Sequence, residues 1–433
     1  MKKRSVKLIA APVALALVAA ACGSDDDSDD ASAEESSDSG SASEPMEDDD
    51  AMDDDAMDDD AMADGMDFGG QEITITGSER DDPSVAAINA ALDVLEERVN
   101  LSIEFIGDAD WEANINTQVE GGNPPDLAIF PQPGKLADFA REGFIVPMTD
   151  DTVATTNEFW AESFQADAVV DGTLYGVPVK TDLKSLVWYN PARFAENDYE
   201  VPTTIDEFVA LMDTMVADGN IPLCVGIESG QATGWTFTDW TEEMVLRQHG
   251  GDVYDQWVAN EIPFNDPRIV ESMDTVVNTF WTEENVFASG GSIASTNFGD
   301  NAIPLVDGDC MMHRQASFFA GFFPDGTVFA DPDNPDSIDA FYFPDINGDR
   351  PTLTAGTFAA VFNDDPAAHA VAQFMATAEY AEIRQRVQTE ELEGGLSGFL
   401  SAAQGQDMSV YQPLEQQFLE ILTTADFVRF DGA

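Results

Sequence analysis

The chain has 433 residues, and its 84 acidic side chains outnumber its 18 lysines and arginines to give a formal charge of −66 at pH 7. A charge of this size and sign argues against nucleic acid or an anionic lipid surface as a partner, because both would repel the protein. An acidic run from Asp25 to Asp67 holds 21 of the acids, and the folded remainder is still near −49.

Residues 1–22 have the organisation of a secretory signal. A basic start precedes an apolar run from Leu8 of about 14 residues, which is short for a membrane span. The run ends in small residues before Cys22, which resembles bacterial lipoprotein signals in which that cysteine is acylated. We expect lipidation at Cys22 and an extracytoplasmic protein, lipid-anchored to the outer face of the bacterial cell membrane. Plain secretion after cleavage near Ala21 is the alternative.

Residues 23–70 are predicted to form a disordered acidic tether. They are rich in serine and aspartate and then repeat the sequence AMDDD from Ala51. Such a segment has too few apolar residues to form a core, and its like charges extend it. A calcium-binding tract is the alternative use of these acids, and a solvated spacer is favoured.

The folded chain begins with alternating strands and helices. Strands are predicted at 72–77 and 101–107, and the segment 121–130 is predicted to be a Gly/Pro turn that leads into a third strand, with helices between the strands. This order predicts an α/β fold that starts with a parallel sheet, and the length of the chain predicts two lobes. In such sheets the loops after the strands line the ligand crevice. These loops contain the candidate binding residues Ser78, Glu79, Arg80, Trp111 and Gln132.

The segment 172–191 contains Lys180 and Lys184, which are two of the three lysines that follow the acidic run. In so acidic a chain, a lysine is a candidate for a specific partner. Lys180 is therefore a candidate ligand contact, and an ordinary surface lysine is the alternative.

The segment 221–247 places Trp235, Asp239 and Trp240 within six positions, after a loop with three glycines. An aromatic ring can cover the apolar face of a pyranose, while a carboxylate accepts hydrogen bonds from its hydroxyl groups. The combination predicts a sugar-binding surface. Burial of the tryptophans in a core is the alternative.

Candidates also occur later in the chain. Arg314, with Gln315 beside it, can offer a paired donor fork to sugar hydroxyls, or it can form a structural salt bridge with a local aspartate. Gly356, followed by Thr357, permits a close approach of the backbone to a ligand.

Several motifs resemble the solute-binding lipoproteins of ABC-type importers for alpha-glucosides. They are LCVGIESG, ATGW, TDW, and the later FGD and HRQASFFAGFFP. The resemblance implies a two-lobed α/β fold of the periplasmic-binding-protein type, with crossing segments as a hinge. It implies an N-lobe of residues 71–178 and 313–357, and a C-lobe of residues 179–312 and 358–433.

The same resemblance implies a function. The protein would capture a sugar, an alpha-glucoside or another disaccharide, between its lobes and deliver it to an ABC permease in the membrane. The candidates named above would then face the cleft, and we expect a monomer.

The cysteines and histidines carry little catalytic signal. Once Cys22 is lipidated, Cys224 and Cys310 remain, and outside the cytoplasm such a pair predicts a disulfide, with two free thiols as the alternative.

The three histidines are isolated, and no HExxH, GxSxG or Walker sequence occurs. The segment 345–351 is a fragment of a calcium-loop pattern and is predicted to be a turn. We expect no catalytic residue, metal or cofactor.

Two other functions are open. A glycoside hydrolase needs two carboxylates about 5–10 Å apart across the sugar. Glu228 and Asp239 can be nominated, but a chain with 84 acids always offers such a pair. A sensor that presents a bound sugar to a membrane receptor would share the features of an importer subunit. The leader, the lobed pattern and the motifs favour a binding protein.

Overall fold

The computed structural model describes residues 66–393, 395–430 and 432. The predicted signal peptide, the lipidation site Cys22 and the tether as far as residue 65 lie outside the described residues. Within the described residues, no helix is both long enough and apolar enough to cross a membrane.

The end of the predicted tether belongs to the fold. The backbone N–H of Phe68 donates to the carbonyl of Val99 (3.0 Å), and the side-chain amide of Asn100 donates to the carboxylate of Asp67 (2.7 Å). The predicted boundary at residue 70 is therefore wrong, because Phe68 already packs against the first hydrophobic core.

The described residues form fourteen α-helices and thirteen strands. The helices are α1 (Asp82–Val99), α2 (Trp111–Glu120), α3 (Pro133–Glu142), α4 (Asp150–Phe159), α5 (Glu162–Gln165), α6 (Pro191–Glu196), α7 (Ile205–Asp218), α8 (Trp235–His249), α9 (Gly251–Val258), α10 (Pro267–Thr275), α11 (Ala302–Asp307), α12 (Pro366–Met375), α13 (Ala378–Glu391) and α14 (Pro413–Thr424). The strands are β1 (Gln71–Gly77), β2 (Leu101–Gly107), β3 (Leu127–Phe130), β4 (Val169–Val170), β5 (Thr173–Leu174), β6 (Val177–Leu183), β7 (Leu186–Tyr189), β8 (Leu223–Cys224), β9 (Val286–Phe287), β10 (Met312–Arg314), β11 (Asp339–Tyr342), β12 (Pro351–Val361) and β13 (Phe427–Phe430).

The local sequence of α1 explains where this helix begins, which face it buries and where it ends. The carboxylate of Asp81 accepts a hydrogen bond from the backbone N–H of Ser84, which caps the helix, and Pro83 lies in the first turn. The apolar residues of α1 recur at helical spacing and are buried against the first sheet. They include Ile88, Leu92, Leu95 and Val99. The helix ends at Asn100, which adopts a left-handed conformation.

The first sheet has the order β13-β12-β3-β1-β2, and β6 also pairs with β12. β1 runs parallel to β2 and β3, whereas β12 runs antiparallel to β3 and β6. The predicted strand–helix–strand start of the fold is therefore confirmed. The loops after β1, β2 and β3 lie at the carboxyl edge of this sheet, where ligand crevices form in α/β folds.

The second sheet has the order β11-β7-β10-β8-β9. Its central strand β10 pairs antiparallel with β7 and parallel with β8. Helices α7 and α8 cover this sheet with apolar side chains, among them Phe208, Met212, Trp240 and Met244. The two sheets thus have separate hydrophobic cores, which we call the N-lobe core and the C-lobe core.

The chain passes between the sheets at two places near the strands that carry the site. β6 ends at Leu183 in the first sheet and β7 begins at Leu186 in the second, so Lys184 and Ser185 lie between them. The return runs between β11 and β12.

The sheet assignments correct the predicted lobe boundaries. Residues 313–357 were predicted to belong to the N-lobe, but β10 lies inside the C-lobe sheet, with His313 opposite Trp188, and β11 pairs with β7 in the same sheet. Residues from 358 onward were predicted in the C-lobe, but the end of β12 and helix α12 are part of the N-lobe core. In this last part, α14 and the preceding residues Leu396, Leu400 and Tyr411 pack with apolar residues of the C-lobe, such as Leu186 and Phe319.

Cys224 and Cys310 lie on adjacent parts of the C-lobe sheet, at the end of β8 and just before β10. The structure joins them by a disulfide, with their Cα atoms 5.5 Å apart and a sequence separation of 86 residues. Both cysteines are buried in the C-lobe.

Candidate functional site

Glu79 lies in the loop between β1 and α1, at the carboxyl edge of the N-lobe sheet. Its Oε1 accepts a hydrogen bond from Nη2 of Arg384 (2.9 Å) and lies 3.8 Å from Nζ of Lys180. Burial opposes the charge of Glu79, but the attraction of Arg384 and Lys180 outweighs it and lowers the pKa of the carboxyl. Glu79 is therefore an ionised acceptor at neutral pH.

The neighbours of Glu79 in the sequence are less enclosed. Ser78 is half-buried, and Arg80 is exposed. The guanidinium of Arg80 donates a long hydrogen bond of 3.4 Å to the backbone carbonyl of Ser78. Both predicted residues thus lie beside Glu79, at the outer side of the same loop.

Lys180, on β6, lies between two carboxylates. Its Nζ is 3.4 Å from Oδ1 of Asp182 and 3.8 Å from Oε1 of Glu79. Burial opposes the charge of the ammonium group, but Asp182 and Glu79 outweigh burial and raise the pKa of Lys180. Burial also raises the pKa of Asp182, against the opposing attraction of Lys180.

Thr357 lies directly opposite Lys180 in the pairing of β12 with β6. Opposite residues of an antiparallel pair point to the same face, so Thr357 lies on the same face of the sheet as Lys180. Oγ1 of Thr357 and Oε2 of Glu79 are buried and have no hydrogen-bond partner among the residues that the structure describes. Two polar oxygens of this kind are costly unless a further group donates to or accepts from them.

Gly356 has a different role from the one predicted. A Cβ atom built at this position would lie 2.4 Å from the backbone carbonyl oxygen of Lys180. Glycine is therefore required by the close approach of β12 to β6.

Aromatic side chains of the C-lobe lie on the other side of this group. Trp235 is half-buried at the start of α8, and its ring centroid is 5.0 Å from that of Phe298 and 6.0 Å from that of Phe318. Phe322, whose ring is 5.1 Å from Phe298, is 42% exposed. Helix α8 can start here because the preceding Gly234 has a φ of 109°, which favours glycine.

Lys180 connects the two sides. Its Nζ, on the N-lobe strand β6, lies 6.0 Å from the ring centroid of Phe318 in the C-lobe. We call this group of side chains the cleft: it comprises Glu79, Lys180 and Thr357 from the N-lobe and Trp235 and Phe318 from the C-lobe. The ring of Trp235 also faces Nζ of Lys184, at 5.4 Å.

Asp239 and Arg314 lie behind the cleft in a buried charge network. Asp239 accepts hydrogen bonds from Lys184 (2.7 Å) and from Arg314 (3.3 Å), and it is 2% exposed. Arg314 also donates to Glu243 (2.8 Å), which pairs in turn with Arg247. Both oxygens of Asp239 thus accept from protein cations, and Arg314 forms the structural salt bridge that was its alternative.

Both of the other predicted tryptophans lie in hydrophobic cores. Trp111 is 2% exposed, its indole N–H donates to Oγ1 of Thr76 (3.1 Å), and its ring meets Phe130 edge-on. Trp240 is 3% exposed and packs against Phe280 in the C-lobe core. The alternative of core burial therefore applies to these two residues.

The side chains of Gln315 and Gln132, two of the predicted ligand contacts, form hydrogen bonds with nearby protein groups. Gln315 is buried, and its side-chain oxygen accepts from the backbone N–H of Ala316 (2.8 Å). Gln132 is exposed and donates to Glu112 (2.6 Å). In this conformation, local partners satisfy both side chains.

Sequence reasoning missed Asp182 and Arg384. For Asp182 a signal exists, because Lys180, Asp182 and Lys184 alternate along an extended segment and therefore share one face. For Arg384 the signal is weaker: it lies four residues after Tyr380 and four before Gln388, on the buried face of α13.

The described residues contain no group of three or more histidine, cysteine, aspartate and glutamate side chains arranged to hold a metal ion. The calcium-loop fragment forms a turn, in which Oδ1 of Asp345 accepts from the backbone N–H of Gly348 (3.1 Å).

Comparison with known proteins identifies relatives over most of the chain. A family profile described as bacterial extracellular solute-binding protein matches residues 79–382. The osmoprotective compounds-binding protein GgtB of Synechocystis sp. is 37% identical over 352 residues, which are 80% of each protein. The alpha-glucosides-binding periplasmic protein AglE of Rhizobium meliloti is 35% identical over 387 residues, which are 85% of this chain and 80% of the relative.

Solved structures share the fold at lower identity. The bacterial solute receptor AcbH, described as exclusive for β-D-galactopyranose, matches with a TM-score of 0.66 and 21% identity, over 83% of this chain and 88% of that receptor. The protein RafE in complex with raffinose matches with a TM-score of 0.62 and 19% identity, over 82% of this chain and 89% of that protein. Because the identities are low, these structures support the architecture alone.

Proposed function

The chain belongs to the bacterial extracellular solute-binding proteins and has their two-lobed α/β fold, and from this premise we propose that it captures a neutral disaccharide, an alpha-glucoside, for an ABC importer. Members of this family are solute-binding receptors, so the chain is a receptor and not an enzyme. The relative AglE is named for alpha-glucosides and the relative GgtB for osmoprotective compounds. These names support a small, polar, hydroxyl-rich ligand for this chain.

The observation that carries the proposal is the arrangement around Glu79. The carboxylate of Glu79 lies 3.8 Å from the ammonium group of Lys180, and Thr357 lies opposite Lys180 on the neighbouring strand. Oε2 of Glu79 and Oγ1 of Thr357 are buried and lack a partner among the described residues. A sugar hydroxyl can donate to one oxygen and accept from the ammonium group at the same time. The charges of Glu79, Lys180, Asp182 and Arg384 sum to zero, which favours an uncharged ligand.

The aromatic side of the cleft supports a sugar in particular. Trp235 and Phe318 supply apolar surface within reach of the polar groups on β6. Pyranose rings have one apolar face and a polar rim, so a ligand held between these two sides satisfies both. Closure of two lobes around it would exclude water from the hydrogen bonds.

The proposal extends to the position of the protein on the cell. We propose that Cys22 is acylated and that the acidic tether holds the receptor, as a monomer, at the outer face of the membrane, where it meets its permease. The leader sequence and the extracellular family support this arrangement. A sensor that presents bound sugar to a membrane receptor is the second candidate, since it would use the same cleft.

A thermal-unfolding screen tests the ligand class. The purified protein is heated with maltose, trehalose, sucrose, glucose or buffer alone, and the midpoint of unfolding is recorded. A ligand that binds only the native state stabilises it by about 2.7 kcal/mol at a concentration of about 100 times its Kd. We expect a rise of several degrees with at least one disaccharide and a smaller rise, or none, with glucose.

The same samples separate the other functions. No change with any sugar would contradict the proposed ligand class while leaving the fold intact. Release of glucose from a disaccharide during the incubation would contradict a receptor. The carboxylates nominated for hydrolysis give no reason to expect it, because Asp239 is held by Lys184 and Arg314 and Glu228 accepts from Asn297 (2.7 Å).

A further inference from the structure

We propose that Arg384 is the positioning residue of the sugar site: it holds the carboxylate of Glu79 in place, so that Glu79 can accept a ligand hydroxyl. This inference rests on the proposed function and adds to it a residue from the distant helix α13. Arg384 acts through Glu79, because the side chain of Arg384 is fully buried whereas that of Glu79 is 14% exposed.

A hydrogen bond and an aromatic contact position the guanidinium group of Arg384. Nη2 donates to Oε1 of Glu79 at 2.9 Å, and the guanidinium carbon lies 4.3 Å from the ring centroid of Phe399. Helix α13 is in turn held against α1, because Gln388 donates to Oγ of Ser84 (3.1 Å). The loop that contains Glu79 leads directly into α1, and the hydrogen bond from Arg384 to Glu79 ties the same loop to α13.

The electrostatics of Glu79 depend on this contact. The charged and titratable groups that face Glu79 are Arg384 and Tyr380 from α13, and Lys180 and Asp182 from β6. Burial raises the pKa of Glu79, and Arg384 is the strongest of the groups that lower it. In the wild-type protein the pKa is below its ordinary value, so the carboxylate is ionised at pH 5.5 as well as at pH 7.5.

Loss of Arg384 reverses this balance. The desolvation of Glu79 remains, whereas the largest opposing attraction is gone, so the pKa of the carboxyl rises. A group with a raised pKa becomes protonated as the pH falls through it, and a protonated Glu79 is a poorer acceptor for a sugar hydroxyl. Affinity should therefore acquire a pH dependence that the wild type lacks.

The test measures the Kd of the disaccharide selected in the screen, at pH 7.5 and at pH 5.5, by calorimetric titration of the wild type and of Arg384→Met. We expect the variant to bind about tenfold more weakly at pH 7.5 because Glu79 is no longer held. We expect a further loss of about threefold or more at pH 5.5, while the wild type changes little over the same range.

Two further variants separate positioning from a general structural role. Arg384→Lys retains the positive charge and should restore a pH-independent Kd. Arg98→Met is the matched control, because Arg98 joins α13 to the last turn of α1, through Glu379 at 2.7 Å, at the end of α1 that is remote from the Glu79 loop. It should bind like the wild type at both pH values.

The possible outcomes are distinct. If the wild type binds a sugar and Arg384→Met has the same Kd, or loses the same factor at both pH values, the inference is overturned and the proposed function stands. If the wild type binds no sugar, both are contradicted. Should Arg384→Met fail to fold, the double variant Glu79→Gln/Arg384→Met decides: it must bind as weakly as Glu79→Gln alone, and weaker binding would show that Arg384 acts by another route.

Discussion

Replacement of Arg314 by methionine is expected to lower the free energy of unfolding by about 3–5 kcal/mol. The side chain of Arg314 is only 1% exposed and lies between the carboxylates of Asp239 and Glu243, at 3.3 and 2.8 Å. Methionine fills a similar volume, but it leaves two buried carboxylates without one of their cations. The cost arises from those uncompensated charges, which water does not reach.

Urea denaturation of the wild type and Arg314→Met measures this difference. Arg386→Met is the matched control, because Arg386 pairs with Glu390 at 3.9 Å and both side chains are more than half exposed, at 54% and 65%. An exposed pair of this kind contributes less than about 1 kcal/mol. The loss in Arg314→Met should also persist in high salt, since buried charges are little screened. Equal small losses in both variants would contradict the buried network.

Removal of the disulfide is the second large effect that we expect. The double variant Cys224→Ala/Cys310→Ala should lose about 4–5 kcal/mol of unfolding free energy in the chain-entropy description, because the bond closes a loop whose ends are 86 residues apart. Both alanines leave small gaps in the buried C-lobe, which adds to the loss.

Equilibrium unfolding in urea, with and without a thiol reductant, tests this prediction. The reductant should lower the midpoint of the wild type to near that of the double variant, and it should leave the double variant unchanged. An unchanged wild-type midpoint, together with a stable double variant, would show that the two cysteines are free thiols in solution.

The sequence predicts the start of the fold well and the lobe boundaries poorly, for a physical reason. Strands β1, β2 and β3 are short apolar runs bounded by turn residues, so their positions follow from local patterns. The place of β10 between β7 and β8, and of β12 between β3 and β13, depends on pairing across long stretches of chain. No local pattern specifies that order, and the predicted boundaries at 313 and 358 therefore failed.

The sequence around each tryptophan contains a signal for its burial, which is the type of residue found at helical spacing from it. Trp111 lies four and eight residues before Ile115 and Val119, which places all three on one apolar helix face, and all three are buried. Trp235 instead shares this spacing with Asp239 and Glu243, on a polar face. Helical spacing therefore distinguishes the core tryptophan Trp111 from Trp235 at the cleft.

The contact between Glu79 and Arg384 marks the limit of such reasoning. The two residues are 305 positions apart, and each is one of many charged residues in an acidic chain. Only the packing of α13 against α1 brings them together. The sequence could nominate Glu79 from its loop, but it could not identify the partner that holds it.

The most direct test of the central claim is a calorimetric titration of the wild type and Glu79→Gln with the disaccharide selected in the screen. Glu379→Gln, in the first turn of α13, is the control carboxylate, because Glu379 pairs with Arg98. A charged acceptor that binds a sugar hydroxyl in the cleft predicts a Kd about 10–100-fold higher for Glu79→Gln, with the control unchanged. Equal affinity in all three proteins would contradict a sugar site at Glu79.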